Sequence, residues 1–300
     1  MEMIELLSIS LLDDQRGLVR EFKDISNRLV IPLGWHYLLD LTWAAQQLQM
    51  VQGMKIMDAG ASMGIMQWWL VSKGIDVLSV DLNDRSSLDP RFRNWCTVKG
   101  LRTSDLQPLA KTLFRDLIPP RLLWSPHNWP RLIYRILSRV LSRQQSPPAG
   151  HGMVTIYNQD LSNMPDIPDA SVDAVVSISA LEHNKPDTLP AIVKELMRVI
   201  KPGGKLVATL GAAKERDWFH VPSKGWCYTE ASLRAIFELM DDCPSNYSHY
   251  NYLFEALRNC EELRKGLAEF YYKSGNNGMP WGIWDPQYQS VGIVKIKNGK

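Results

Sequence analysis

The sequence predicts an α/β fold built on a mostly parallel sheet. Three observations lead there. Short apolar runs of strand type at residues 54–59 (MKIMDA) and 76–82 (DVLSVDL) flank a helix-like stretch over 63–73, and strand, helix and strand packed this tightly form a parallel βαβ unit. A run of small residues, DAGASMG, joins the first strand to its helix. The composition is that of an ordinary globular chain, 45% apolar and 22% charged over 300 residues, which is enough to bury a core.

The elements follow in order. Residues 35–51 fit an amphipathic helix ended by Gln52-Gly53. The βαβ unit comes next. From 85 to 150 the pattern breaks into Pro-, Arg- and Trp-rich sequence with 12 Lys/Arg against 3 Asp/Glu. In a chain of net charge +2 that shift marks an insertion, with QQSPPAGHG (144–152) as its exit linker. Strands resume at 153–159 and 171–179. A helix follows from about 186 to 200. A Gly-Gly turn within KPGGKLVATL (201–210) then feeds another strand. Residues 229–240 read as a helix with Thr229 as N-cap, 246–250 as a weak strand, 252–272 as one long helix, and 288–297 as a closing strand. The whole reads as a single domain over 1–300. It has N-terminal helices in 1–53, the basic insertion at 85–150 and a C-terminal cap with final strands in 211–300.

Composition excludes several classes. A net charge of +2 is too small to argue for nucleic acid. Cys96, Cys227, Cys243 and Cys260 are scattered without a Cys-x-x-Cys pair, so neither a metal knuckle nor a disulfide framework is indicated. The acidic start MEMIELLSISLLDDQR does not read as a signal peptide, and no apolar run approaches membrane-spanning length. A reduced, cytoplasmic protein is the expectation. The 11 tryptophans point to apolar binding surfaces or to core packing.

The bare loop sits at the carboxyl end of the first strand, where open α/β sheets bind ligands. Gly60 and Gly64 let the backbone turn and approach a ligand without a Cβ. The first N–H groups of the following helix favour an anion. Asp81 ends the second strand about 20 residues on, where a carboxylate can accept both hydroxyls of a ribose. The loop therefore reads as a cradle for a nucleoside-containing cofactor, against the alternative of a tight turn with no ligand. A dinucleotide fingerprint needs G-x-G-x-x-G, but Ser62 and Ile65 stand where its second and third glycines belong.

The motifs IMDAGASMG, VLSVDL with Asp81, YNQDLSNMPDIPDASVDAVVSISALEH and ELMRVIKPGGKLVATL together resemble the class I S-adenosylmethionine-dependent methyltransferases, most of all the type-11 methyltransferase domain of the small-molecule branch. The resemblance spans roughly residues 50–210 apart from the insertion, and its last two motifs are the most specific. It implies a Rossmann-like three-layer sandwich with a mostly parallel seven-stranded sheet whose last strand is antiparallel. The implied cofactor is S-adenosyl-L-methionine. Asp58, Gly60, Ser62 and Gly64 would surround its methionine moiety and Asp81 its ribose. Asp160 with Leu161 would lie by the adenine, and Ser179 or Ala180 would face the sulfonium. The family usually has Gly where Ser62 stands. Asp160 also fits a helix cap, and Asp58 a structural carboxylate bonded to loop amides.

Transfer of an activated methyl group needs alignment above all, and a base only where the acceptor must lose a proton early. His183, in SALEHN just beyond the strand aimed at the cofactor, is the candidate base; packing or capping is the plain alternative. Glu182 reads as an orienting residue and His220 as a weaker second base. The acceptor, a small molecule or one linked to lipid or sugar, would be held by parts outside the shared core. These are Trp35, His36 and Tyr37, the insertion, and residues 275–288. In RLIYRILSRVLSR, Arg131, Arg135, Arg139 and Arg143 form a basic stripe that fits an anionic membrane surface, an acidic acceptor or a solvated lid. Two other functions compete: a nucleotide-dependent oxidoreductase on the same architecture, against which Ile65 counts, and a non-catalytic methyltransferase-like scaffold.

Overall fold

A computed structural model describes residues 1–108, 148–270, 279 and 283–299. The basic stripe at 131–143, the first residues of the exit linker and half of the 275–288 loop (275–278 and 280–282) lie outside the described residues.

The chain opens with a strand, β1 (Met3–Leu6), and three helices, α1 (Leu11–Asp14), α2 (Arg16–Leu29) and α3 (Tyr37–Leu48). The predicted βαβ unit follows as β2 (Lys55–Ala59), α4 (Ile65–Ser72) and β3 (Asp76–Asp81). Next come α5 (Pro90–Trp95), β4 (Thr97–Gly100), β5 (Met153–Asn158), β6 (Val172–Ile178), α6 (Leu189–Val199) and β7 (Ile200–Ala212). The chain closes with β8 (Trp218–His220), β9 (Gly225–Tyr228), α7 (Glu230–Ile236), α8 (Tyr250–Arg258), α9 (Glu261–Phe270) and β10 (Gln289–Ile296).

One twisted sheet organises these elements, in the order β1-β10-β7-β6-β2-β3-β5-β4. β2 pairs in parallel with both β3 and β6, so the chain direction across the sheet reverses between β2 and β6. β10 runs antiparallel to β7, as expected of the last strand. Alternation along the strands fills both faces. Ile56 and Val77 join the core under α2, α3 and α4, while Met57 and Leu78 join the core under α6 and α7. Trp43, Trp68 and Trp69 are fully buried, so these three tryptophans pack the core. The Trp43 indole donates to Glu5 and the Trp69 indole to Glu21, each at 2.7 Å.

Several details depart from expectation. The ordered path has eight strands rather than seven, and β8 and β9 attach beside β7. The extra edge strand is β1, antiparallel to β10; the N-terminal region is therefore not wholly helical. Residues 85–108 are built into the edge of the sheet, because β4 pairs in parallel with β5. No strand forms at 246–250. Ser245 makes a single bridge to Ile4, and the Asn246 side chain accepts from the Leu6 amide and donates to its carbonyl (2.7 and 3.1 Å), taking the place of a neighbouring strand. The long helix expected over 252–272 is two helices. Asn259 caps α8, and a new first turn begins at Glu261-Glu262, where acidic residues suit a helix N-terminus. The KPGG stretch lies inside β7: Gly203 has φ +79°, its amide reaches the Lys297 carbonyl, and the Lys297 amide reaches that of Gly204. Among the described residues no helix is long and apolar enough to cross a membrane.

Gly292 of β10 lets the strand lie directly on Trp43. A Cβ there would come within 2.4–2.6 Å of three indole atoms. Gly292→Ala should therefore destabilise the fold by about 1–3 kcal/mol, as overpacking does, read as a lower midpoint in urea denaturation. An unchanged midpoint would mean that the indole is free to move.

Candidate active site

The reversal between β2 and β6 opens a crevice at the carboxyl ends of the strands, the place where ligands bind in open α/β sheets. Two loops meet there. Gly60 leaves β2 with φ +74°, and a Cβ on it would lie 2.4 Å from the Cβ of Ala180, which follows β6. Only glycine meets both demands. The amides of Gly60 and Ala61 donate to the Val80 carbonyl (2.9 and 3.1 Å), tying the loop to β3. Ser62 sits at φ +42°, which gives a physical reason why glycine suits this position. Its amide donates to Asp81 Oδ2 at 2.7 Å, and Asp81 Oδ1 accepts from the Asn83 amide, also at 2.7 Å. The Asp81 carboxylate thus orders its own surroundings.

Two residues that the sequence reading passed over brace this loop. Gln67, in the first turn of α4, holds its amide nitrogen 3.3, 3.2 and 3.1 Å from the carbonyls of Ala61, Ser62 and Gly64. Its Oε1 accepts from the Ser79 hydroxyl at 2.7 Å. Arg85 is buried and donates to the carbonyls of Ser62, Ser79 and Tyr157 (3.3, 2.9 and 3.2 Å). Burial alone would expel such a cation; the charges of Asp81, Asp58 and Asp105 hold it. Asp58 is itself buried at the end of β2, and burial pushes its carboxyl up to about 7, against the pull of Arg85 and with a further push from Asp81.

A cavity of about 650 Å³ occupies the crevice, and Asp58, Gly60, Ser62, Gly64, Asp81, Asp160, Leu161, Ser179 and His183 all line it. The candidate base and the residues assigned to the cofactor in the sequence therefore line one space. Asp160 is exposed and its Oδ1 accepts from the Ser162 amide at 2.8 Å, so the capping alternative describes one of its oxygens. Ser179 stands at φ +46°, and its hydroxyl donates to Glu182 Oε1.

A second cavity of about 310 Å³ adjoins the first, and Gly34, Tyr37, Ser179 and His183 line both. Trp35, His36, Glu182, Trp226, Cys227 and Tyr288 also line it, so Trp35, His36, Tyr37 and Tyr288, four of the aromatic positions expected at an acceptor pocket, converge here. His183 is exposed, and its Nδ1 lies 3.0 Å from the Lys224 carbonyl. A carbonyl only accepts, so Nδ1 carries the proton and Nε2 is left as a base. His220 lines neither cavity; it is buried against Tyr288, with Nδ1 2.7 Å from Ser223 Oγ.

Residues 135–208 match the family model described as a methyltransferase domain. The matched stretch runs through β5, β6, α6 and most of β7 and leaves out the glycine loop and Asp81. Solved structures similar to this chain include phosphoethanolamine N-methyltransferase 2 of Haemonchus contortus in complex with S-adenosyl-L-methionine, at 15% identity over 97% of this chain and 60% of that one, TM-score 0.46. The [4+2]-cyclase SpnF matches at 14% identity over 99% of each chain, TM-score 0.45. The YcgJ protein of Bacillus subtilis matches at 11% over 87% and 99%, TM-score 0.43. No curated protein matches the sequence.

The raised Asp58 predicts a titration. An acid whose folded-state value lies above its unfolded one contributes stability that is complete below the unfolded value, near 4, and lost as the pH rises through about 7. Carboxyl-detected NMR should show Asp58 titrating close to neutrality. Asp58→Asn should remove the matching part of the stability loss toward mildly alkaline pH. An Asp58 resonance titrating in the ordinary carboxylate range would contradict the assignment of its burial.

Proposed function

We propose that the chain is an S-adenosylmethionine-dependent methyltransferase that transfers a methyl group to a small molecule, free or linked to lipid or sugar, with the cofactor in the 650 Å³ cavity and the acceptor entering beside His183. The observation that carries the reading is the convergence of the nine sequence-selected residues on one cavity at the strand-order reversal. In this reading Asp81 accepts from the ribose hydroxyls, and Asp160 with Leu161 borders the adenine. Asp58, Gly60, Ser62 and Gly64 surround the methionine part, and Ser179 borders the sulfonium. The fit is supported by the Cβ-free approach at Gly60 and by the Asp81 carboxylate beside a site for a cationic ligand. The bound cofactor supplies a methyl group already activated on a positive sulfonium. The chain supplies alignment and, through His183 Nε2, a place for the proton that a hydroxyl or ammonium acceptor must lose.

Incubating the enzyme with methyl-labelled cofactor and metabolite extracts, followed by mass spectrometry, tests the activity. A labelled product absent from the controls is expected, and none from any extract would favour the scaffold alternative. Asp81→Asn should weaken S-adenosylhomocysteine binding by about tenfold or more, since a charge-assisted pair becomes a neutral one, while the far-UV spectrum stays unchanged. Once an acceptor is in hand, His183→Ala should lower the rate by about 10²–10⁴ with cofactor affinity intact. A smaller drop with the same pH profile would leave alignment as the whole mechanism.

A further inference from the structure

We propose that the second cavity recognises the methyl acceptor through an amine, whose N–H bonds to the free oxygen of Glu182. The proposal rests on the reading of the first cavity as the cofactor site, since it is that reading which makes the adjoining space the acceptor's.

Glu182 lies in the single 3₁₀ turn Leu181–His183 that follows β6. It is 7% exposed and lines the second cavity. One carboxylate oxygen, Oε1, accepts from the Ser179 hydroxyl. The other, Oε2, is buried without a partner. A buried acceptor left bare costs about 1–3 kcal/mol, more when charged, so such a group in a cavity wall calls for a partner that enters the cavity. Gly225 at the head of β9 keeps the side chain in place: a Cβ there would lie 3.1 Å from Glu182 Cγ.

The chemistry of that partner follows from the surroundings. The groups that face Glu182 are His183 on its own turn, His36 and Tyr37 at the start of α3 with Asp40 behind them, Cys227 and Tyr228 on β9, and Tyr288 before β10. His36 is buried. Burial pulls its imidazole down, but the charge of Asp40 and a 2.5 Å bond to it lift the imidazole above the ordinary histidine value. That imidazolium is shared between Asp40, to which it is bonded, and Glu182, and it gives Glu182 Oε2 no hydrogen bond. Lys224 lines the cavity but is exposed, and its carbonyl is taken by His183. Trp35, Tyr37, Trp226 and Tyr288 add aromatic rings to the walls, with Trp35 and Tyr288 rings 5.3 Å apart, beside small residues such as Gly211, Ser223 and Gly225. A carboxylate and aromatic rings lining one cavity favour a cation twice over, by charge-assisted hydrogen bonding and by cation–π attraction. An anionic acceptor would meet Glu182 as a like charge, and an alcohol would form only the weaker of the two kinds of bond.

Burial pushes the Glu182 carboxyl above its ordinary value against the pull of His183, Ser179 and His36. A protonated Glu182 no longer attracts a cation. Amine affinity should therefore rise with pH through that raised value, and hold until the amine itself deprotonates.

The test is NMR titration of the full chain with n-butylamine, cyclohexylamine and 2-phenylethylamine, each against the alcohol of the same carbon skeleton, with and without S-adenosylhomocysteine. At mildly alkaline pH the best-bound amine should exceed its alcohol by about tenfold or more, as a charged pair exceeds a neutral one. Glu182→Gln should cut the preference to about threefold or less, with the homocysteine product still bound. The wild type provides a second readout that needs no variant: amine affinity should fall toward acid pH while alcohol affinity stays flat. The proposal is overturned if the alcohols bind as well as the amines, if the preference survives Glu182→Gln, or if no amine binds at millimolar concentration. Failure of the wild type to bind S-adenosylhomocysteine would sink the cofactor reading instead, and the titrations without it would still decide the amine preference.

Discussion

The crevice depends on two strand-end loops passing closer than side chains allow. Gly60 after β2 and Ala180 after β6 meet where a Cβ on the former would lie 2.4 Å from the Cβ of the latter. That approach is possible because β2 and β6 are parallel neighbours whose onward connections leave in opposite directions. Once Gly60 is fixed, its amide and that of Ala61 can both reach Val80, Ser62 is turned into the left-handed region, and its amide lands on Asp81. Gln67 and Arg85 then close the underside of the loop. The hydrogen bonds that shape the cradle thus come from β3, α4 and Arg85, and the site is as rigid as the sheet beneath it.

The two cavities differ in how they are built. The first is shaped by backbone and by carboxylates held in fixed networks, with Arg85 as the buried counter-charge to Asp58 and Asp81. The second is shaped by side chains from distant parts of the chain: His36 and Tyr37 from the N-terminal region, Trp226 and Cys227 from β9, and Tyr288 before the last strand. Ser179 and His183 line both. A backbone-shaped cavity beside a wall assembled from distant segments lets one fold carry different walls.

The βαβ unit, the glycine loop and the closing antiparallel strand were legible in the sequence because most of their signals are local. Period-two apolar runs, glycines at a strand end and an acid about 20 residues on need no knowledge of distant partners. Gln67 and Arg85 carried no such signal. Arg85 reaches Tyr157, 72 residues away, and read in sequence it was only the first of many basic residues in a Pro- and Trp-rich stretch. The same charge count hid β4, whose pairing with β5 depends on an edge supplied from beyond that stretch. β1 was missed because four residues with alternating burial resemble the start of the helices behind them. Residues 246–250 misled in the other direction: they look like a strand, but the Asn246 side chain occupies the position a partner strand would need. Glu182 was passed over as an orienting group, since its bare oxygen is a property of the folded cavity alone.

The most direct test of the account is a crystal structure of the chain with S-adenosylhomocysteine. The account predicts the nucleoside in the 650 Å³ cavity, with both ribose hydroxyls on Asp81, the adenine beside Asp160 and Leu161, and the sulfur next to Ser179 and Ala180 on the side of His183. A ligand bound in another cavity, or in this one with no contact to Asp81, would contradict it.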